Sequence, residues 1–173
     1  MTDEGKELTH LTRDGHAHMV DVGQKEVTAR TATARARVRM SHETFLRLAS
    51  GDTPKGDVLA AARIAGIQAA KLTPNLIPLC HNVHLTRVEV SIELDADMAV
   101  ITAKAEARDR TGVEMEAMVA ASTAALTLYD MLKAIDRGMT FDVFLVEKAG
   151  GRSGHWQREG GSPALPDARG AAR

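Results

Sequence analysis

The chain has 173 residues, a formal net charge of −1 and a hydrophobic fraction of 44%, yet aromatic residues make up only 3%. That length fits a single domain, and the near-zero charge gives no global attraction for nucleic acid or a membrane surface. One cysteine excludes an internal disulfide and fits a reducing, cytoplasmic setting; the polar N-terminus is no secretory signal, and no apolar run nears the roughly 20 residues of a membrane span.

Residues 1–26 hold few apolar positions beyond "HMVDV" at 18–22 and are broken by glycine, so a flexible N-terminal arm is expected there. The folded domain is expected at 27–150, and 151–173, rich in Gly, Pro and Arg, is expected to be a flexible tail. From Val27 to Met40 the chain alternates as a strand: Ala34, Ala36, Val38 and Met40 share one face, and Arg35, Arg37 and Arg39 the other, read as a solvated sheet face. Arg30 has the parity of the alanines, where a cation wants a partner or a ligand.

Ser41 caps a short helix that Gly51 ends, and Asp57 caps a second one running to about Lys71, with Pro74 stopping it. The second helix is apolar on almost every side, which predicts packing on a sheet and against a neighbour. Val88 to Leu94 and Ala99 to Arg108 alternate on either side of "DAD", a β-hairpin. Thr111 and Glu114 form a capping box for a long helix reaching about Ile135, with Val113, Ala117, Ala120, Ala124, Leu128 and Met131 as its core stripe. A last strand covers 140–148. The order predicts an α+β fold, the ferredoxin-like β-α-β-β-α-β sandwich with one extra early helix. Its core of small aliphatic side chains buries little area per residue, so an oligomer is expected.

Candidate chemistry gathers in few places. Glu116, Asp130 and Lys133 lie on one face of the long helix, which reads either as a solvated surface or as a functional one. Glu116 and Asp130 stand about 21 Å apart at helical rise, too far to touch one reacting atom. They serve opposite ends of a long ligand or two sites completed by neighbouring subunits. Lys55 precedes a helix N-terminus and Lys148 a glycine-rich segment, both of which suit a polyanion. The loop "LIPLCHNVHL" reads as an inert apolar segment, a pocket wall, or half of a zinc site through Cys80 and His84, which would still need further ligands. No protein-bound metal is expected.

The segments "HMVDV", "KGDVLAAARIAGIQAAK", "LIPLCH", "TGVEMEAMVAAS" with "AALTLYDMLKA", and "K" with "GGRSG" occur in one order. Together they closely resemble the cyclic pyranopterin monophosphate synthases, which act second in molybdenum cofactor biosynthesis. The resemblance spans roughly residues 8 to 154. It implies a ferredoxin-like fold, a homohexamer built as a trimer of dimers with sites at subunit contacts, and a phosphorus–oxygen lyase. The substrate would be (8S)-3′,8-cyclo-7,8-dihydroguanosine 5′-triphosphate, and the products cyclic pyranopterin monophosphate and pyrophosphate. By the same resemblance Asp130, Lys133 and Lys55 are catalytic, and Leu79, Cys80, His81, Met115 and Glu116 bind substrate. Arg30 and Lys148 would be further phosphate or pocket contacts. No cofactor is implied beyond Mg²⁺ as a companion of the triphosphate. The chain departs from the family at Asn82, where proline is usual, and at Leu72, where a basic residue is usual. The rival reading is a non-enzymatic, nucleotide-binding regulatory domain of the same fold. An RNA-binding module fits poorly, since the hairpin carries no aromatics for base stacking.

Overall fold

The computed structural model describes residues 14–160, so the first 13 residues and the last 13 lie outside it, including half of the arm and most of the tail. The elements run β1 (Thr28–Arg39), α1 (His42–Ser50), α2 (Val58–Lys71), α3 (Thr73–Leu76), β2 (Leu85–Asp95), β3 (Met98–Asp109), α4 (Glu114–Leu132), β4 (Thr140–Ala149) and β5 (Trp156–Gln157). The sheet order is β2-β3-β1-β4-β5 with every neighbouring pair antiparallel. Two split β-α-β units interleave, which is the ferredoxin-like α+β sandwich.

Alternation in the strands decides which face the helices cover. Ala32, Ala34, Ala36 and Val38 of β1 stand beside Ala105, Ala103, Ile101 and Ala99 of β3, and all eight are essentially without solvent exposure. Onto this carpet α4 lays Val113, Ala117, Ala120, Ala121, Ala124, Ala125, Leu128 and Leu132. Leu132 is fully buried, and Met131, expected in the stripe, only borders it. Small side chains on both surfaces let the helix sit close to the sheet, so the core is dense although each residue contributes little area.

Helix ends follow local chemistry in two cases and depart from it in a third. Ser41 accepts from the Thr44 amide, Gly51 adopts φ 76°, and Asp57 accepts from the Ala60 amide, as the caps predict. The Thr111–Glu114 capping box does not form: the cap of α4 is Val113, with no side-chain cap hydrogen bond. Val113 is fully buried. Its anchoring in the core starts the helix two residues late, so that Glu114 is the first helical residue instead of the third. The helix also ends at Leu132, with residues 133–135 in a turn. Pro74 stands in the first turn of the separate α3, where its missing N–H costs nothing, so the chain resumes a helical turn after α2 ends.

Of three further expectations, the packing of α2 on the sheet is met, with the neighbour on its other face lying outside a single chain, and two are corrected. In this single chain α2 buries one face only, through Val58, Ala62, Gly66, Ala69 and Ala70, while Ile64 is 67% exposed. The arginine face of β1 is not simply solvated. Arg37 is 9% exposed and bonded by two guanidinium nitrogens to Asp142, directly opposite on β4, with Phe144 5.1 Å below its guanidinium. Trp156 and Gln157, in the stretch read as tail, pair with Lys148 and Glu147 as an edge strand, and Arg158 lies over Phe144 at 5.4 Å.

Gly66 marks the closest approach of α2 to its neighbours. A Cβ there would lie 2.9 Å from the Ala120 carbonyl oxygen and 3.2 Å from Val90 Cγ2. Gly66→Val is therefore expected to destabilise the chain by about 2–3 kcal/mol through overpacking, despite its higher helix propensity. Urea denaturation at constant m-value measures it, and an unchanged midpoint would refute the close-packing account.

Candidate active site

Helix α4 carries the candidate residues at its two ends. At the N-terminal end, the loop after α3 brings Leu79, Cys80 and His81 against Met115 and Glu116, and these five line one hollow of about 120 Å³. His81 Nε2 lies 2.7 Å from the Val20 carbonyl oxygen, which ties the loop to the segment before β1. His84 does not turn toward Cys80. Its backbone amide donates to Asp109 and its ring stands 3.7 Å from the same carboxylate. Among the described residues no three His, Cys, Asp or Glu side chains come together as a metal site.

A larger open cleft of about 890 Å³ adjoins this hollow and shares His81, Thr111, Gly112 and Glu114 with it. Arg30 lines it. Its Nε donates to the Asp109 carbonyl at 3.2 Å and its Nη2 to the Arg110 carbonyl at 3.1 Å. Gly151, at φ 71°, lies so close that a Cβ would fall 1.7 Å from Arg30 Nη1. Only glycine permits both that backbone angle and that contact. The glycine-rich hairpin thus presses backbone onto the guanidinium. Lys148 does not line the cleft. It donates to Ser153 and, at 3.0 Å, to the Gly154 carbonyl, fastening the hairpin from within.

The second cluster is at the C-terminal end of α4. Lys55 Nζ donates to Asp130 Oδ2 at 2.9 Å and to the Asp130 carbonyl at 3.0 Å, and Lys133 bonds the other carboxylate oxygen. Lys55, Asp130 and Lys133 therefore form one unit, solvent-facing in the single chain, with the Asp130 side chain 55% exposed. With about four turns of helix between them, this unit and Glu116 do not meet within one chain.

Electrostatics separates the two ends. Hydrogen bonds from Lys133 and Lys55, reinforced by their charge, lower the Asp130 pKa to about 2. Sequence leaves open whether lysines or burial set this value; in the single chain the lysines do. Glu116 moves the other way. It is 3% exposed, and desolvation, with smaller contributions from the Glu114 and Asp109 charges, raises its pKa to about 7. The Cys80 thiol, which lines the same hollow, is also pushed up, first by burial and then by Glu116.

The MoaC family model matches residues 19–151. The chain belongs to the MoaC family. The cyclic pyranopterin monophosphate synthase of Thermomicrobium roseum is 57% identical over 156 residues, covering 88% of this chain and 94% of that relative. Sequence reasoning placed Glu116 on a polar face and missed its burial. It also passed over Arg110 and Arg152 and gave Thr111 only a capping role, though all three line the larger cleft; the only signal was Arg152 standing among glycines with no acidic neighbour.

The raised Glu116 pKa makes a signed prediction. The native state holds a proton that the unfolded chain releases above its ordinary value of 4.5, so this group opposes stability increasingly from pH 4.5 to 7. Glu116→Gln is expected to be more stable than wild type at pH 8, by roughly 3 kcal/mol at most, with the difference gone near pH 4. Equal stabilities at both pH values would refute the burial argument.

Proposed function

We propose that the chain converts (8S)-3′,8-cyclo-7,8-dihydroguanosine 5′-triphosphate into cyclic pyranopterin monophosphate and pyrophosphate, as a lyase of molybdenum cofactor biosynthesis. One observation carries this reading: the 57% identity, over nearly the whole of both chains, to a relative with that name. The site agrees with it. A hollow walled by Leu79, Cys80, Met115 and Glu116 suits a flat heterocycle, and the adjoining cleft with Arg30 suits a phosphate chain.

The chemistry assigns distinct roles. Opening one ring and closing another needs proton transfers, and Asp130 with Lys133 and Lys55 is the unit proposed to make them. Closing the cyclic phosphate lets a substrate oxygen displace pyrophosphate at the α-phosphorus. Negative charge builds on the leaving group, and Arg30 and Lys55 would stabilise it. Glu116 and His81 would hold the heterocycle. Lys148 would support the site by bracing the glycine hairpin. The reaction needs no resident cofactor; Mg²⁺ enters only as a companion of the triphosphate.

Because the two ends of α4 are about 21 Å apart, one complete site takes them from two copies of the chain. A two-fold axis near Thr123, midway between Glu116 and Asp130, would place the Glu116 end of one α4 by the Asp130 end of another, twice over. Leu126, 54% exposed beside that midpoint, is suited to burial there. In this reading three such dimers would make up a homohexamer, acting in the cytoplasm.

Asp130→Asn is expected to fold and assemble yet lose turnover by at least about a hundredfold, assayed by mass spectrometry of the pterin product. Unchanged turnover would remove Asp130 from the mechanism. A wild-type chain that binds the triphosphate without forming product would instead favour the non-enzymatic regulatory domain. The shared-site arrangement has its own test: Asp130→Asn and Glu116→Ala chains, each inactive alone, should regain activity when unfolded and refolded together. No recovery in mixed oligomers would refute it.

A further inference from the structure

The loop that carries Leu79, Cys80 and His81 has little structure of its own. Pro78 stiffens its start, but residues 79–84 hold no proline, and residues 80–84 belong to no helix, strand or turn. Among the described residues two hydrogen bonds tie this stretch to the rest of the fold. His81 meets the Val20 carbonyl, and the His84 amide donates to Asp109 Oδ2 at 3.0 Å. Val20 itself lies outside any helix or strand. Asp109, in contrast, ends β3, a strand of 12 residues paired with β1 along its whole length. The Asp109 carboxylate is thus the loop's hydrogen-bonded link to the rigid sheet. It is held on more than one side: Oδ1 accepts the Arg110 amide at 2.7 Å, and its backbone carbonyl accepts Arg30 Nε at 3.2 Å. Burial opposes the charge of Asp109, but the His84 and Arg110 amides, with the His84 ring 3.7 Å away, outweigh it and keep the carboxyl below its ordinary pKa.

We propose that Asp109 is a positioning residue: by gripping the His84 amide it keeps the loop of Cys80 and His81 closed on Glu116, and so sets the shape of the hollow and the access of water to its buried acid. Leu79, Cys80, His81 and Val83 wall the hollow in which Met115 and Glu116 lie, so a loop released at His84 opens that wall. Asp109 acts on Glu116 in a second way, through its charge. Glu116 faces Glu114 from its own helix, Asp109 from the end of β3 and Cys80 from the loop, and both carboxylates disfavour its ionised form. The kinetic part of this assignment rests on the reading of the chain as a lyase; the titration part does not.

The test uses the full chain and two readouts: KM and kcat for the cyclised triphosphate, and the titration midpoint of Glu116. Carbon-13 NMR of chain labelled at the glutamate carboxyl carbons supplies the midpoint, with Glu116 assigned as the signal missing from Glu116→Gln. Asp109→Ala is expected to lower the midpoint by at least about one pH unit, since water enters and a negative charge leaves. It should also raise KM by about tenfold, the scale of a lost charge-assisted hydrogen bond, with a smaller fall in kcat. Asp109→Asn still accepts one amide and should lower the midpoint by less, with KM near that of wild type. Asp142→Asn unpairs Arg37 on the sheet face away from α4, so it should cost stability while moving neither readout. A folded Asp109→Ala chain with wild-type midpoint and KM would overturn the assignment, and so would equal shifts in Asp142→Asn, the mark of general destabilisation. If Asp109→Ala does not fold, Asp109→Asn decides, and an unchanged midpoint there overturns the assignment. Failure of the lyase reading looks different: no pterin from wild type, whatever Glu116 titrates at.

Discussion

The contact between α4 and the sheet is the constraint from which the rest follows. Alanines on β1 and β3 meet alanines on α4, and a helix seated this closely along five turns has little freedom to bend or shift. That fixes the Glu116 end and the Asp130 end at a set separation and orientation. It also places the start of α4 between the loop of Cys80 and His81 and the carbonyls of Asp109 and Arg110 that hold Arg30. A bulkier core would have lifted the helix and separated these partners.

The two ends of that helix differ in what wins the electrostatic competition. Acids at a helix N-terminus are favoured by the dipole, typically by about 0.3–1 kcal/mol. Glu116 has that advantage and still titrates near 7, because the cost of burying its charge, roughly 3 kcal/mol by the size of the shift, is larger. Asp130 stands in the last turn, where the dipole disfavours an anion, yet its pKa is about 2. Two ammonium groups at hydrogen-bond distance outweigh a distant partial charge.

What was legible in the sequence was what neighbouring residues decide. Strand alternation, the "DAD" hairpin, the Ser41 and Asp57 caps and the Gly51 stop depend on contacts within a few positions, and the fold class follows from their order. The start of α4 was misplaced because the Thr111–Glu114 motif is a local signal overridden by the burial of Val113. Arg37 reads as a solvated side chain because its partner, Asp142, is 105 residues away and becomes its neighbour only through β1–β4 register. The site divides the same way. Family resemblance grouped Leu79, Cys80 and His81 with Met115 and Glu116, and the fold does bring them to one hollow. The burial of Glu116 was invisible, since it depends on a loop more than 30 residues away. The hydrogen bonds of Lys148 to Ser153 and Gly154 were not legible either, since they depend on a turn geometry that glycine spacing alone does not specify.

The separation of the two carboxyl groups in pKa has a consequence for proton transfer in a shared site. A buried acid near pH 7 donates and accepts a proton with little penalty, whereas a carboxylate held near 2 by two lysines is a weak base as long as water and both ammonium groups surround it. Asp130 gains basicity only when its surroundings lose dielectric or when one lysine turns to the substrate's phosphates. Binding a polyanion does both at once, since it excludes water and competes for the ammonium groups. Lys55 reaches Asp130 from the loop before α2 and Lys133 from the turn after α4, so the two ammonium groups come to the carboxylate from different segments. On the proposal that Asp130 is the base, the substrate's own charge would then release it, and a neutral substrate of the same shape would leave Asp130 locked in its lysine pair.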